Sequence, residues 1–301
     1  MNKILITGAT GLIGQELVKQ AHAKGYTVHY LTTRKSQIQN ASNYKGFYWN
    51  PSAKEIDINC FEGVDAIINL AGASVAKRWT KAHKKLVLES RVDALQLLYS
   101  TIKENDLKIK QLVSASAIGI YPDSQTHFYE EDYQEVSTSF LGKVVKAWED
   151  EALKFNELNI NVSLIRVGIV LSNKGGALLQ LVKTINNFVG ASLGKGKQWQ
   201  SWIHLEDIAS QFLFVLENQL QGIYNGVAPN AIKQHELVKA IAKTLAKPLW
   251  LPNVPAFVMK LLLGDMSAIA LESQRVSSKK IESLGFNYKH HHLQTALEEE
   301  L

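Results

Sequence analysis

The chain has 301 residues, of which 46% are hydrophobic and 20% charged, with a formal net charge of +5. That length supports one large domain or two modest ones with a full core, and the ordinary charge content excludes wholesale disorder. Its lysines and arginines are scattered rather than clustered, so no nucleic-acid partner is expected, although the excess favours an anionic ligand.

Taken in chain order, Lys3 to Thr7 is a short apolar run ending at a glycine, the pattern of a buried strand. Leu12 to Lys24 has helical spacing and stops at Gly25. Strands are predicted at Tyr26 to Thr32, Val64 to Ala71, Lys110 to Ser116 and Val162 to Val167. Long helices are predicted at Thr80 to Lys103, with Leu86, Leu95 and Leu98 as its apolar side, and at Phe140 to Asn156. Strands alternating with helices predict a Rossmann-type, doubly wound α/β fold with a parallel sheet covered on both faces. Glycines then punctuate a loop-rich stretch after Leu171, followed by a short strand and a helix at Ile203 to Leu216. Further helical patterns lie at His235 to Ala246, Pro255 to Leu263 and within Ser277 to Leu301. The expected organisation is a cofactor domain over 1–170, with 200–230 returning to it, and a smaller C-terminal substrate domain over 171–301.

Cys60 is the one cysteine, so neither an internal disulfide nor a paired-cysteine metal site is expected. The first residues already read as a strand rather than a secretory leader, and no run reaches the ~18–20 apolar residues of a membrane span. A cytoplasmic location with no membrane partner is the expectation. The triplet His290 to His292 reads as a surface turn rather than a metal site.

The motif Gly8-Ala-Thr-Gly11-Leu-Ile-Gly14 follows a strand and opens a helix. In that context the first glycine makes the turn, the second admits a pyrophosphate, and the third lets helix and strand pack closely. The helix N-terminus offers free N–H groups to the phosphates. The second strand ends Leu31-Thr-Thr-Arg34-Lys35, without the acid that binds a ribose 2′-hydroxyl. A guanidinium at Arg34, helped by Thr33, suits a 2′-phosphate, so NADP(H) is favoured over NAD(H).

Together TGATGLIG at 7–14, Asn69 to Gly72, Ser114 to Ser116 and Ser201 to Ala209 resemble the extended short-chain dehydrogenase/reductase superfamily. The runs 140–152, 194–204, 225–230 and 251–276, with the closing LGFNYKHHHLQTAL, resemble its atypical "epimerase family" branch. Members of that branch carry the labels nucleoside-diphosphate-sugar epimerase and cell-division inhibitor. The resemblance implies cofactor contacts from Gly8, Thr10, Gly11, Leu12, Ile13, Gly14, Thr33, Arg34, Asn69, Leu70, Ala71, Gly72, Arg91 and Ile169. It also implies a homodimer built on the two long helices, which the altered second helix leaves open.

Ordinary members use a serine with Tyr-x-x-x-Lys, the tyrosine and lysine one helical turn apart on one face. Here Leu141 and Val145 occupy those two positions, Ser116 matches the serine, and Arg91 replaces the usual asparagine. The candidate catalytic residues are therefore Ser116 to polarise a carbonyl, Tyr121 as proton donor (or packing residue), and Arg91 as oxyanion or ribose ligand. Lys143 is expected on the solvated face of its helix. His204 and Asp207 are expected to join the second domain to the sheet, and Glu131 and Asp132 to face the cleft or cap a loop. The loop from Gly194 to Trp202, with its lysines and two indoles, suits an anionic or nucleotide-sugar-like substrate. Two functions follow: an NADP(H)-dependent oxidoreductase or epimerase, or a non-catalytic NADP(H) sensor that has lost its acid–base pair.

Overall fold

The computed structural model describes residues 2–301. Seven strands build the central sheet: β1 (Lys3–Thr7), β2 (Thr27–Thr32), β3 (Tyr44–Asn50), β4 (Ala66–Asn69), β5 (Gln111–Ala117), β6 (Asn161–Val167) and β7 (Gly222–Gly226). Their order is β7-β6-β5-β4-β1-β2-β3, and every neighbouring pair is parallel. Two-residue strands at Asn40–Ala41 and Glu55–Ile56 add antiparallel to β3. The order reverses at β1 and β4, so their carboxyl ends diverge and leave a crevice there. β3 was not foreseen: its sequence, YKGFYWN, carries polar and glycine positions where a buried strand is expected to be apolar. Gly46 is the reason that it pairs closely, because a Cβ there would lie 2.5 Å from the Tyr30 ring.

Helices α1 (Leu12–Ala23), α2 (Lys81–Glu104), α3 (Phe140–Leu153) and α5 (Leu205–Glu217) cover the sheet, while α4 (Gly176–Asn186), α6 (Gln234–Thr244) and α7 (Ala256–Leu263) lie beyond it. Side-chain caps set the starts of α2 and α3. Thr80 accepts from the His83 N–H at α2, and Ser139 from the Gly142 N–H at α3. Leu95 and Leu98 are buried as expected, but Leu86 is exposed because the first turns of α2 run past the edge of the sheet core.

The largest core lies on the sheet, and a second gathers Leu178, Ile185, Trp202, Leu237, Ile241 and Leu297. The chain also returns to the sheet later than the sequence division has it, since Ile281, Phe286 and Tyr288 pack into the first core. His290 is not on a surface turn. It is buried, its backbone and ring both bonded to Asp207, while Asp207 also accepts from the Lys289 N–H. His204 caps α5 and its ring lies 3.6 Å, centroid to centroid, from that of His290. The pair ties the C-terminal segment to α5. Although His204, Asp207 and His290 bring ligand-type atoms together, His290 and Asp207 bond each other, Nε2 of His290 meets Glu299, and Nε2 of His204 lies 3.1 Å from the Glu300 carboxylate.

Candidate cofactor and substrate site

At the carboxyl end of β1 the chain turns through Gly8, at φ +71°, into α1. A Cβ on Gly8 would lie 2.7 Å from the Leu70 carbonyl oxygen, and one on Gly14 would lie 2.2 Å from that of Gly8. Neither position has room for any side chain. Gly11, by contrast, is exposed and its Cβ direction is open apart from the Gly8 oxygen at 3.2 Å. No side chain caps α1 and no acid lies in its first turn, so the unpaired N–H groups of that turn would suit an anion.

The loop after β4 lies directly on this turn. Thr7 accepts from the N–H groups of Leu70 and Ala71, both at 3.1 Å, and donates to Asn69. The Asn69 amide in turn donates to Ser114 at 3.0 Å. Asn69 is thus fully buried, and its side chain braces β1, β4 and β5. Leu70, Ala71 and Gly72 stay at the surface of the crevice, as do Thr10, Leu12 and Ile13. Thr33 and Arg34 are exposed at the far end of β2, and Ile169 is half-buried just past β6.

Arg91 reaches from α2 to the same loop. It donates to the carbonyls of Ala73 and Val87 at 3.1 and 2.8 Å. Its guanidinium is sandwiched between Gly72, whose Cβ would come within 2.8 Å of it, and the Trp148 indole at 4.9 Å. Burial pulls its pKa down to about 10, with no acidic group opposing that shift. A desolvated cation without a carboxylate partner, at the mouth of the crevice, suits an anionic ligand.

Ser116 and Tyr121 do not face the crevice. Ser116 is 2% exposed and donates a short hydrogen bond to Glu149 on α3. Arg166 grips that carboxylate with both edges, Nε to Oε1 at 2.9 Å and a terminal nitrogen to Oε2 at 3.0 Å. The other terminal nitrogen donates to Tyr121 at 3.0 Å, and Tyr121 donates to Asn225 at 2.8 Å. Glu131 accepts from the Asn225 N–H, so it faces this network rather than solvent. Tyr121 is 1% exposed and stacked on Tyr129. Burial pushes its pKa up to about 12, against the pull of Arg166. Desolvation disfavours the Arg166 charge, but the Glu149 carboxylate holds it above the usual guanidinium range.

A cavity of about 860 Å³ opens between the N-terminal ends of α2 and α3 and the segment 260–272. Its wall includes Trp79, Phe140, Lys84, Lys143, Lys260, Asp123 and Glu272. Lys84 bonds Asp265 and lies 5.3 Å from the centre of the Phe140 ring. Burial, with the Asp123 charge behind it, raises the Glu272 pKa.

A model of the NAD dependent epimerase/dehydratase family matches residues 4–226, and one of a domain of unknown function, DUF1731, matches 254–300. The chain belongs to the NAD dependent epimerase/dehydratase family. An epimerase family protein of Staphylococcus aureus is 37% identical over 99% of both chains. A chloroplastic epimerase family protein of Arabidopsis thaliana is 35% identical over 98% of this chain and 85% of its own. Among solved structures, the human epimerase family protein SDR39U1, crystallised with NADPH, superposes with a TM-score of 0.86. It is 26% identical, over 99% of this chain and 98% of its own. A nucleoside-diphosphate sugar epimerase of Corynebacterium glutamicum gives 0.78 at 26% identity, over 100% of this chain and 58% of its own.

Within this family member the catalytic trio expected from the sequence does not come together. Ser116 and Tyr121 belong to one buried wall network, and Arg91 stands apart on the crevice loop. Leu141 packs at Gly119 and Val145 is buried among Ile118, Tyr121 and Tyr129, so both positions at which the sequence reading set the tyrosine and lysine carry apolar side chains. Lys143 is exposed as expected, yet its amine borders the cavity, which helical phase alone did not reveal. In the Gly194–Trp202 loop, Trp202 is buried in the second core, and Trp199 is held by Gln125 and covered by Arg275. Neither indole lines the cavity. Missed by the sequence reading were Glu149 and Arg166, whose signal was present: a charge inside the buried strand NVSLIRV demands a buried partner.

Proposed function

We propose that this protein binds NADP(H) on the Gly8–Gly14 turn and oxidises or reduces a small anionic molecule held in the cavity beside α3. The observation that carries the reading is the cradle itself: two glycines without room for a Cβ beneath an uncapped, acid-free helix N-terminus. The NADPH in the human relative's crystal structure supports it. The N–H groups of Leu12, Ile13 and Gly14 would match the pyrophosphate charge. Arg34 and Thr33 would hold the 2′-phosphate through charge-assisted hydrogen bonds, and Arg91 the charge nearer the cleft. Bound nicotinamide supplies hydride transfer. For the substrate, Lys84, Lys143 and Lys260 offer positive charge and Trp79 and Phe140 offer ring faces, a lining suited to a phosphorylated or nucleotide-sugar-like molecule. Proton transfer falls to groups on the cavity wall, Lys143 and Glu272, the latter holding its proton to higher pH than an exposed carboxyl.

A second reading, a cofactor-bound sensor without turnover, is favoured by one observation: Ser116 and Tyr121 are both engaged inside the wall. Calorimetry on ligand-stripped protein separates these readings from failure of the cofactor assignment. NADPH is expected to bind more than about tenfold tighter than NADH, the value of one lost charge-assisted bond or more, and Arg34→Ala to erase the preference. Absence of heat with either dinucleotide refutes the proposal. Binding followed by NADPH oxidation on carbonyl or nucleotide-sugar substrates, weakened by Lys143→Ala or Glu272→Gln, supports the enzyme. Binding with no oxidation on any of them selects the sensor.

A further inference from the structure

Helix α7 buries little of itself. Met259 is its one buried residue, whereas Phe257, Leu261 and Leu262 are 72%, 82% and 63% exposed. Just upstream Trp250 is 71% exposed and Leu251 is exposed as well, while the loop after α4 presents Phe188 and Val189. These segments form one surface. The Trp250 and Phe188 rings meet edge-on at 6.3 Å, and the indole N–H donates to the Phe188 carbonyl at 3.3 Å. Backbone bonds join Ser192 and Gly194 to Val254, which leads into α7. Phe188 holds φ +59°, the left-handed region that favours glycine, with its ring outward.

Along the chain the segments that carry these side chains are rich in lysine, and the nearest acids, Glu236 at the start of α6 and Glu298 linked through Gln294 to Thr244, lie at their border. Residues 239–264 contain Lys239, Lys243, Lys247 and Lys260 and no acid, and residues 183–193 contain Lys183 and no acid. Lys247 lies over the Phe188 ring at 4.9 Å. The next acid along the chain, Asp265, is paired with Lys84. A second copy docked about a twofold axis through the Phe188–Trp250 contact would set Lys247, which lies over the Phe188 ring, close to its own equivalent. The apolar side chains stand proud of the surface, mixed with an indole and with lysines. That is the chemistry of a segment lying in a lipid headgroup layer.

We propose that this face adsorbs to an anionic lipid bilayer, with Trp250, Phe257 and Leu261 at the acyl boundary and Lys183, Lys243 and Lys247 on the headgroup phosphates. Adsorption needs no spanning helix, and none is long and apolar enough to span among the described residues. It revises the expectation of no membrane partner, which rested on spans alone. Phe257 and Leu261 do not line the cavity, although Lys260 between them does, and neither belongs to the Gly8–Gly14 turn where the cofactor is proposed.

Sedimentation of the full chain with phosphatidylcholine vesicles, with and without phosphatidylglycerol, tests the proposal, together with the tryptophan emission. Expected are binding only to the anionic vesicles and a blue shift that Trp250→Ser reduces. Binding should fall more than about tenfold in Phe257→Ser/Leu261→Ser and roughly fivefold per lysine in Lys183→Gln, Lys243→Gln and Lys247→Gln. NADPH heats in the serine double variant confirm that it is folded. No sedimentation at low salt overturns the proposal, as does binding that the serine double variant retains. A lipid-free dimer that the double variant dissociates overturns it in favour of a second copy as occupant.

Discussion

Replacing Glu149 with leucine removes the one carboxylate that pairs Arg166 inside the wall. Arg166 would then be a buried guanidinium with Nε and one terminal nitrogen unpaired, and Ser116 would lose the acceptor of its hydroxyl. Only the bonds to Tyr121 and the Glu131 carbonyl would remain. Breaking a buried ion pair from one side costs about 3–5 kcal/mol, because the surviving charge stays desolvated. At roughly 2–4 °C per kcal/mol for chains somewhat shorter than this one, the melting temperature should fall by about 6–20 °C. Glu149→Leu/Arg166→Met removes both charges and should recover part of that loss, since an apolar pair of similar volume carries no desolvation penalty. The measurement is thermal unfolding of both variants, with NADPH calorimetry on each. A melting temperature within about 2 °C of the parent for Glu149→Leu, or a double variant worse than either single one, refutes the reasoning. The same argument fixes the outcome for Ser116→Ala: stability drops by about 1 kcal/mol while any NADPH-dependent turnover persists, because this hydroxyl already donates to Glu149.

Gly14→Ala should abolish NADPH heats while far-ultraviolet circular dichroism stays native, as a Cβ 2.2 Å from the Gly8 oxygen can be relieved only by moving the turn off its register; retained binding sinks the cradle argument. Reinstating the family's pair as Leu141→Tyr/Val145→Lys should not create activity and should lower the melting point, since position 145 is buried among Ile118, Tyr121 and Tyr129 and offers an ammonium no partner. The His204 pKa is lowered, by burial first and by His290 second. Its stabilising contribution is therefore complete above the ordinary histidine pKa and is lost as pH falls below it. Unfolding temperature should drop between pH 7.5 and 5.5, and less so in His204→Gln; His29, also lowered by burial, sustains the remainder. An equal slope in the variant and the parent would remove His204 from this account.

The sheet was legible because its strands are buried on both faces and its helices end at visible signals. Lys3–Thr7 is a continuous apolar run, Gly25 takes the left-handed turn after α1, and Thr80 and Ser139 cap α2 and α3. The third strand was not, because its pairing depends on Gly46 admitting Tyr30, a contact that no local pattern records. Of the candidate site, the glycine turn and the exposed Arg34 at the end of β2 stand where the sequence pattern set them, since both positions follow from the strand ends. Ser116, Tyr121 and Asn69 are more buried than their sequence positions suggest, for a common reason. Each sits at the carboxyl edge of the sheet, where the sequence predicts exposure to ligand, but each has a buried hydrogen-bond partner supplied from a distant segment.

Leu141 and Val145, the positions the sequence reading aligned with a Tyr-x-x-x-Lys pair, share helix α3 with Glu149, the partner of Arg166 on β6. Successive turns of α3 place Leu141, Val145 and Glu149 on one face, four residues apart, against β5 and β6. With carbon at the first two positions, the polar group nearest Ser116 is the third, and the serine hydroxyl turns to it. A serine has one proton to donate. Once that proton is held by Glu149, Oγ can only accept, so a substrate carbonyl finds no donor there. Any acid–base chemistry must then come from groups that line the cavity, which is why Lys143 and Glu272 rather than Ser116 and Tyr121 carry the catalytic prediction.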